Sequence, residues 1–220
     1  MQSFEVNGSA FQGYLSKPSA GKGAGILLLH AWWGLNPFTV QICDRLAQAG
    51  YITLAPDYYR GHVAKTVEEA KVARAKLDRK SSQKLISQAV DYLSGLNSLT
   101  GSGIGVIGFS LGASFAVEVA RSRNQIIKTV VLFYGTGGGK IEKTNATFLG
   151  HFAEHDKWGA HPPKVKALTN RIRLAGKKAT FYTYPKTEHW FAEADRPEYN
   201  QEAAELAWDR TMKFLQDELA

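Results

Sequence analysis

Along the chain, short apolar runs rich in β-branched and aromatic residues alternate with longer stretches whose apolar positions recur at helical spacing. That pattern predicts a mostly parallel sheet of about eight strands with helices on both faces. Strands are expected at Ser3–Val6, Phe11–Leu15, Gly25–Leu29, Tyr51–Ala55, Gly103–Gly108, Lys128–Phe133, Ala146–Gly150 and Ala179–Tyr184. Helices are expected at Phe38–Ala49, Thr66–Ala75, Ser81–Leu93, Leu111–Arg121, Pro163–Ala175 and Pro197–Leu219. Pro163 and Pro197 stand where first-turn prolines are tolerated, and Gly50 and Gly176 follow predicted helix ends. The two opening strands precede any helix and predict an antiparallel hairpin at one edge. In open sheets of this kind chemistry collects at the carboxyl ends of the strands, where loops vary on a rigid frame.

One strand end carries a distinctive turn. Gly108-Phe109-Ser110-Leu111-Gly112 follows the strand Gly103–Gly108 and runs directly into the helix formers Ala113, Ser114, Phe115 and Ala116. A G-x-S-x-G motif between strand and helix is the signature of a nucleophile elbow, in which glycines remove the Cβ atoms that would clash around a strained serine. A helix cap alone does not require glycine on both sides. A serine hydroxyl needs a base and an orienting acid, which follow in the order serine, acid, histidine in the α/β-hydrolase fold. Asp156, after the strand Ala146–Gly150, and His189, after the last strand, fill those places, with Glu154 the weaker alternative to Asp156. The expected oxyanion donors are the Leu111 N–H and, from the loop His30-Ala31-Trp32-Trp33-Gly34, the Trp32 N–H.

These segments give the chain a close resemblance to the dienelactone hydrolase family. The resemblance is carried by His30 to Asn36, Ala55-Pro56-Asp57-Tyr58-Tyr59, Gly108 to Gly112, Ala153 to Trp158, and Tyr184 to Arg196 with Asn200. It implies a compact, lidless, monomeric hydrolase that needs no cofactor. Family enzymes of the founding type have a cysteine nucleophile and a glutamate in the loop after the third strand, whereas this chain has Ser110 and Ala31. An arginine that helps hold the substrate carboxylate in those enzymes is replaced here by Glu193, with Arg196 nearby. The resemblance therefore points to a serine esterase acting on a small to medium ester or lactone, not to dienelactone itself.

Other features narrow the reading. At 220 residues, 44% of them hydrophobic, the chain suits one domain over 1–220. Its net charge of +7 is spread along the chain, with pairs such as Lys177–Lys178 instead of basic blocks, so no nucleic-acid partner is expected. A single cysteine, Cys43, and the lack of a signal-like or membrane-spanning run point to the cytoplasm. Gly103 to Gly108 matches G-x-G-x-x-G but lies inside a strand, and Gly135 to Lys140 lacks the serine or threonine of a phosphate loop. His151, His155 and His161 lack the tight spacing of zinc motifs, so no metal is expected. Among the aromatics, Trp33, Tyr59, Phe109, Trp158 and Trp190 are candidates for the substrate pocket. Acyl transfer or perhydrolysis would use the same residues, and a non-catalytic binding module would be expected to have lost some of them.

Overall fold

The computed structural model describes residues 1–219. Its strands form one sheet: β1 (Gln2–Val6), β2 (Ser9–Ser16), β3 (Gly23–Leu29), β4 (Ile52–Pro56), β5 (Leu99–Phe109), β6 (Ile127–Phe133), β7 (Thr147–His155) and β8 (Ala179–Glu188). Their spatial order is β1-β2-β4-β3-β5-β6-β7-β8. The predicted hairpin lies at one edge, where β1 pairs antiparallel with β2 and β2 antiparallel with β4, and every later pairing is parallel. The helices are α1 (Pro37–Gln48), α2 (Val67–Lys76), α3 (Arg79–Ser94), α4 (Leu111–Ser122), α5 (Pro162–Leu174) and α6 (Gln201–Leu219).

The central strands read as unbroken apolar runs because both of their faces are covered. Alternate residues enter opposite cores. Leu27, Leu29, Ile104, Val106, Val130 and Leu132 meet α3, α4 and α5 on one side. Ile26, Leu28, Ile107, Phe109, Val131 and Phe133 meet α1 and α6 on the other. Each such aliphatic side chain removed from water contributes roughly 1.5–3 kcal/mol, so the sheet is rigid where the loops leave it. By contrast, Ala70 is the one fully buried residue of α2.

Helix starts follow side-chain caps. Asn36 accepts from the Thr39 amide at α1, Thr66 from Glu69 at α2, and Asp78 from Lys80 and Ser81 at α3. The last helix begins later than the sequence suggests. Pro197 lies in a turn outside it, and α6 starts after Asn200, whose side chain accepts from the Ala203 amide at 3.0 Å. Strands β7 and β8 run several residues beyond their predicted ends, to His155 and Glu188. Polar side chains on these extensions masked the strands in a reading based on apolar runs. Among the described residues no helix is long and apolar enough to cross a membrane.

Candidate active site

Ser110 stands between β5 and α4 with φ +50° and ψ −107°, a conformation that costs a non-glycine residue about 1–3 kcal/mol unless its surroundings impose it. Its surroundings do impose it. The Ser110 amide donates to the Phe133 carbonyl at 2.9 Å, and the glycines at either side let three backbone segments meet. A Cβ at Gly108 would lie 2.5 Å from the Gly112 carbonyl oxygen. One at Gly112 would overlap the Leu29 carbonyl and come within 2.7 Å of the His30 oxygen.

From the other strand ends come the histidine and the acid. Ser110 Oγ lies 2.8 Å from His189 Nε2, and His189 Nδ1 lies 2.6 Å from Asp156 Oδ2. Asp156 Oδ1 accepts from the amides of Trp158 at 2.8 Å and Gly159 at 2.9 Å. Burial alone pushes the Asp156 carboxyl up. The hydrogen bond and charge interaction with His189, aided by the Gly159 and Trp158 amides, outweigh it and hold the carboxyl below its usual range. An ionised Asp156 can only accept, so the proton of a neutral His189 sits on Nδ1 and Nε2 is left to accept from the Ser110 hydroxyl. Glu154, the weaker alternative, is elsewhere: it accepts from the Lys186 amide at 2.8 Å and lies 3.3 Å from His155.

The Leu111 amide is the first of α4 and so has no partner within that helix. The loop carrying Trp32 is set from beneath by buried polar contacts. Tyr58 donates its hydroxyl to the His30 carbonyl, the His30 and Tyr58 rings stack at 3.7 Å, and His30 Nδ1 lies 2.7 Å from the Ala31 oxygen. Burial lowers His30 to about 4 and His151 to about 3, so both are neutral structural groups at pH 7. His151 is engaged by Tyr184 and Thr211, and among the described residues no three His, Cys, Asp or Glu side chains are grouped to hold a metal.

The candidate pocket residues separate into three places. Trp158, 44% exposed, packs against Trp32 at 5.2 Å and Trp190 at 5.3 Å, and the Trp190 and His189 rings lie nearly perpendicular at 5.0 Å. Trp33 is buried behind Trp190 and covered by the Arg196 guanidinium at 4.1 Å. Tyr59 lines a cavity of about 710 Å³ between α2 and α3, and Phe109 one of about 240 Å³ between α1 and α6. Neither wall includes Ser110, Asp156 or His189.

Two neighbours escaped the sequence reading. Lys71, on α2, places its Nζ 5.7 Å over the Trp158 ring, and nothing in the pattern of that helix singled it out. Tyr134 sits just past β6 with its ring 5.0 Å from that of His189, and its position at a strand's carboxyl end was an available signal. The Tyr134 hydroxyl donates to Glu193 Oε1 at 2.9 Å.

Burial pushes Glu193 up to about 8. The Tyr134 hydrogen bond and Arg196 oppose that rise, while Asp195 and Glu198 add to it. A raised folded-state value means that the favourable neutral form is fully present below the unfolded value near 4.5 and is lost as pH rises through about 8. Glu193→Gln should therefore gain stability relative to the parent between about pH 5 and pH 8.5, by roughly 2 kcal/mol or more in paired urea titrations. His30 and His151 titrate alike in both proteins and cancel. A constant difference across that range would show that Glu193 is not held neutral.

The chain is 29% identical to protein usf of Aquifex pyrophilus over 229 residues, covering 100% of this chain and 98% of the relative. It is 27% identical over 223 residues to a carboxymethylenebutenolidase of a Pseudomonas species, covering 94% of this chain and 90% of the relative. The crystal structure of a dienelactone hydrolase from Anabaena variabilis superposes with a TM-score of 0.70 at 18% identity, covering 100% of this chain and 97% of that one. The family model for the dienelactone hydrolase family matches residues 11–219. With nearly its whole length matched, the chain belongs to the dienelactone hydrolase family.

Proposed function

We propose that the protein hydrolyses small to medium carboxylic esters or lactones through an acyl-enzyme, with Ser110 as nucleophile, His189 as general base and acid, and Asp156 as the group that orients the imidazole. The observation that carries this reading is the continuous relay from Ser110 Oγ through His189 to Asp156, at 2.8 and 2.6 Å, on a strained strand-to-helix turn. As Ser110 attacks the carbonyl carbon, its proton passes to Nε2 and the imidazolium is stabilised by Asp156. The amides of Leu111 and Trp32 receive the developing oxyanion, Leu111 with the added field of the α4 amino terminus. His189 then protonates the leaving alkoxide, and a water activated by the same nitrogen releases the acid.

The wall formed by Trp32, Trp158 and Trp190 favours an apolar or aromatic group on the substrate. A lactone is a natural extension of this chemistry, supported by the lactone-cleaving name of the Pseudomonas relative. The test is product analysis by NMR with phenyl acetate and dihydrocoumarin, each with and without an added alcohol acceptor. Free acid as the main product in both cases supports a hydrolase; transfer to the alcohol in preference to water would replace that reading. Because Trp158 is 44% exposed, Trp158→Ala should leave the melting temperature nearly unchanged. It should raise KM for phenyl acetate about 5- to 10-fold with little change in kcat, the effect of lost uniform binding. An unchanged KM would remove Trp158 from the substrate wall.

A further inference from the structure

The proposed reaction leaves without a role one buried acid in the turn that carries His189. Glu193 lies four residues after His189 in the same turn and is 1% exposed. That turn folds on itself, with the Glu193 amide donating to the Trp190 carbonyl at 2.8 Å and the Arg196 amide to the Glu193 carbonyl at 3.0 Å. A carboxyl buried in this way costs stability, so a group that only filled space would be better apolar. The Glu193 side chain instead meets the Tyr134 hydroxyl, and Tyr134 is itself constrained. It is fully buried, holds φ +40°, and donates its amide to the His151 carbonyl at 2.8 Å. The following residue, Gly135, lies so close to the nucleophile that a Cβ there would be 2.5 Å from the Ser110 carbonyl oxygen. A strained residue over-determined by its contacts next to a catalytic group is where backbone strain serves function.

We infer that Glu193 and Tyr134 form a positioning pair for His189: the carboxyl fixes the Tyr134 ring, and the ring holds the imidazole in register with Ser110 Oγ. The pair joins two strand ends. Tyr134 follows β6, whose end also receives the Ser110 amide at Phe133, while Glu193 belongs to the turn after β8 that carries His189. It therefore ties the nucleophile and the base to one frame. The inference rests on the reading of Ser110 and His189 as nucleophile and base.

The groups facing Glu193 are Tyr134 from the end of β6 and Asp195, Arg196 and Glu198 from its own turn, with His189 beyond the Tyr134 ring. Burial holds the Tyr134 phenol far above its usual range, so the hydroxyl remains a donor at any working pH. The group that changes is Glu193. Ionisation near pH 8 creates a buried carboxylate in the turn and alters the clamp on the imidazole.

The experiment is phenyl acetate hydrolysis from about pH 6 to 10 for the parent, Tyr134→Phe and Glu193→Gln, with rates expressed per active site titrated by a fluorophosphonate. Tyr134→Phe should lower kcat about 5- to 20-fold with KM changed less than about twofold, the signature of a lost contribution in the transition state. Glu193→Gln, which mimics the neutral acid, should keep kcat near pH 7 within about threefold and lack the parent's inflection near pH 8. A purely structural role would shift the melting temperatures and leave kcat per titrated site and the pH profile unchanged, and that result would overturn the inference. If Tyr134→Phe fails to fold, the pH profile of Glu193→Gln decides alone. A parent enzyme that neither labels nor turns over would overturn the reading of Ser110 and His189, whereas normal parent labelling with unaltered variants would overturn only the positioning pair.

Discussion

Ser110→Ala and His189→Ala should each lower kcat for phenyl acetate by about 10⁴- to 10⁶-fold with KM changed little, and the double variant should be no slower than the slower single one. The reason lies in the relay. In the proposed mechanism Ser110 Oγ and His189 Nε2, 2.8 Å apart, act in one proton transfer, so removing either leaves the other with nothing to do. What survives in every variant is binding and the oxyanion donors, which remain because they are backbone amides. Multiplicative losses in the double variant would mean that the two side chains contribute separately, and the mechanism would need a different base. Ser110→Ala should melt near the parent temperature, since it deletes one partly exposed hydroxyl. A large loss of stability would show that its inactivity has another cause.

Gly112→Ala should destabilise the fold by about 4 kcal/mol or more, although it adds a single methyl group at the start of a helix where alanine is otherwise favoured. At this position helix propensity is overruled by contact. The new Cβ would overlap the Leu29 carbonyl and approach the His30 oxygen at 2.7 Å, and both belong to the backbone at the end of a fully buried strand that cannot yield. Any relief would have to move either the elbow or the loop carrying Trp32, so residual folded enzyme should also lose activity. The check is urea unfolding beside the rate per folded molecule. A variant within about 1 kcal/mol of the parent would show that the elbow is looser than its packing implies.

Much of this architecture was legible because it depends on local chemistry. The elbow could be read from Gly108, Ser110 and Gly112, since each glycine is demanded by a close backbone approach that leaves a mark in the sequence. Asp156 and His189 could be placed because strand ends are where an open sheet gathers function. The edge hairpin followed from two strands preceding any helix. Less legible was the start of α6, where Pro197 looks like a first-turn proline but Asn200 supplies the cap. The pocket was harder still. Trp158 and Trp190 form one wall with Trp32, yet Phe109 lines a separate cavity between α1 and α6 and Tyr59 one between α2 and α3. Which face of a strand or loop an aromatic side chain takes is decided by long-range packing, and both faces of these strands are apolar. Glu193 shows the same limit. An acid in a polar turn reads as solvated until the fold brings Tyr134 against it.

Whether Ser110 is the nucleophile is tested by intact-mass analysis and peptide mapping after treatment with a fluorophosphonate, comparing the parent with Ser110→Ala. One adduct per chain is expected, on Ser110 and absent from the variant, because only a serine beside a base and oxyanion donors is reactive enough to be phosphonylated. No adduct on the folded parent, or an adduct on another residue that persists in Ser110→Ala, would contradict the assignment of Ser110 as the nucleophile.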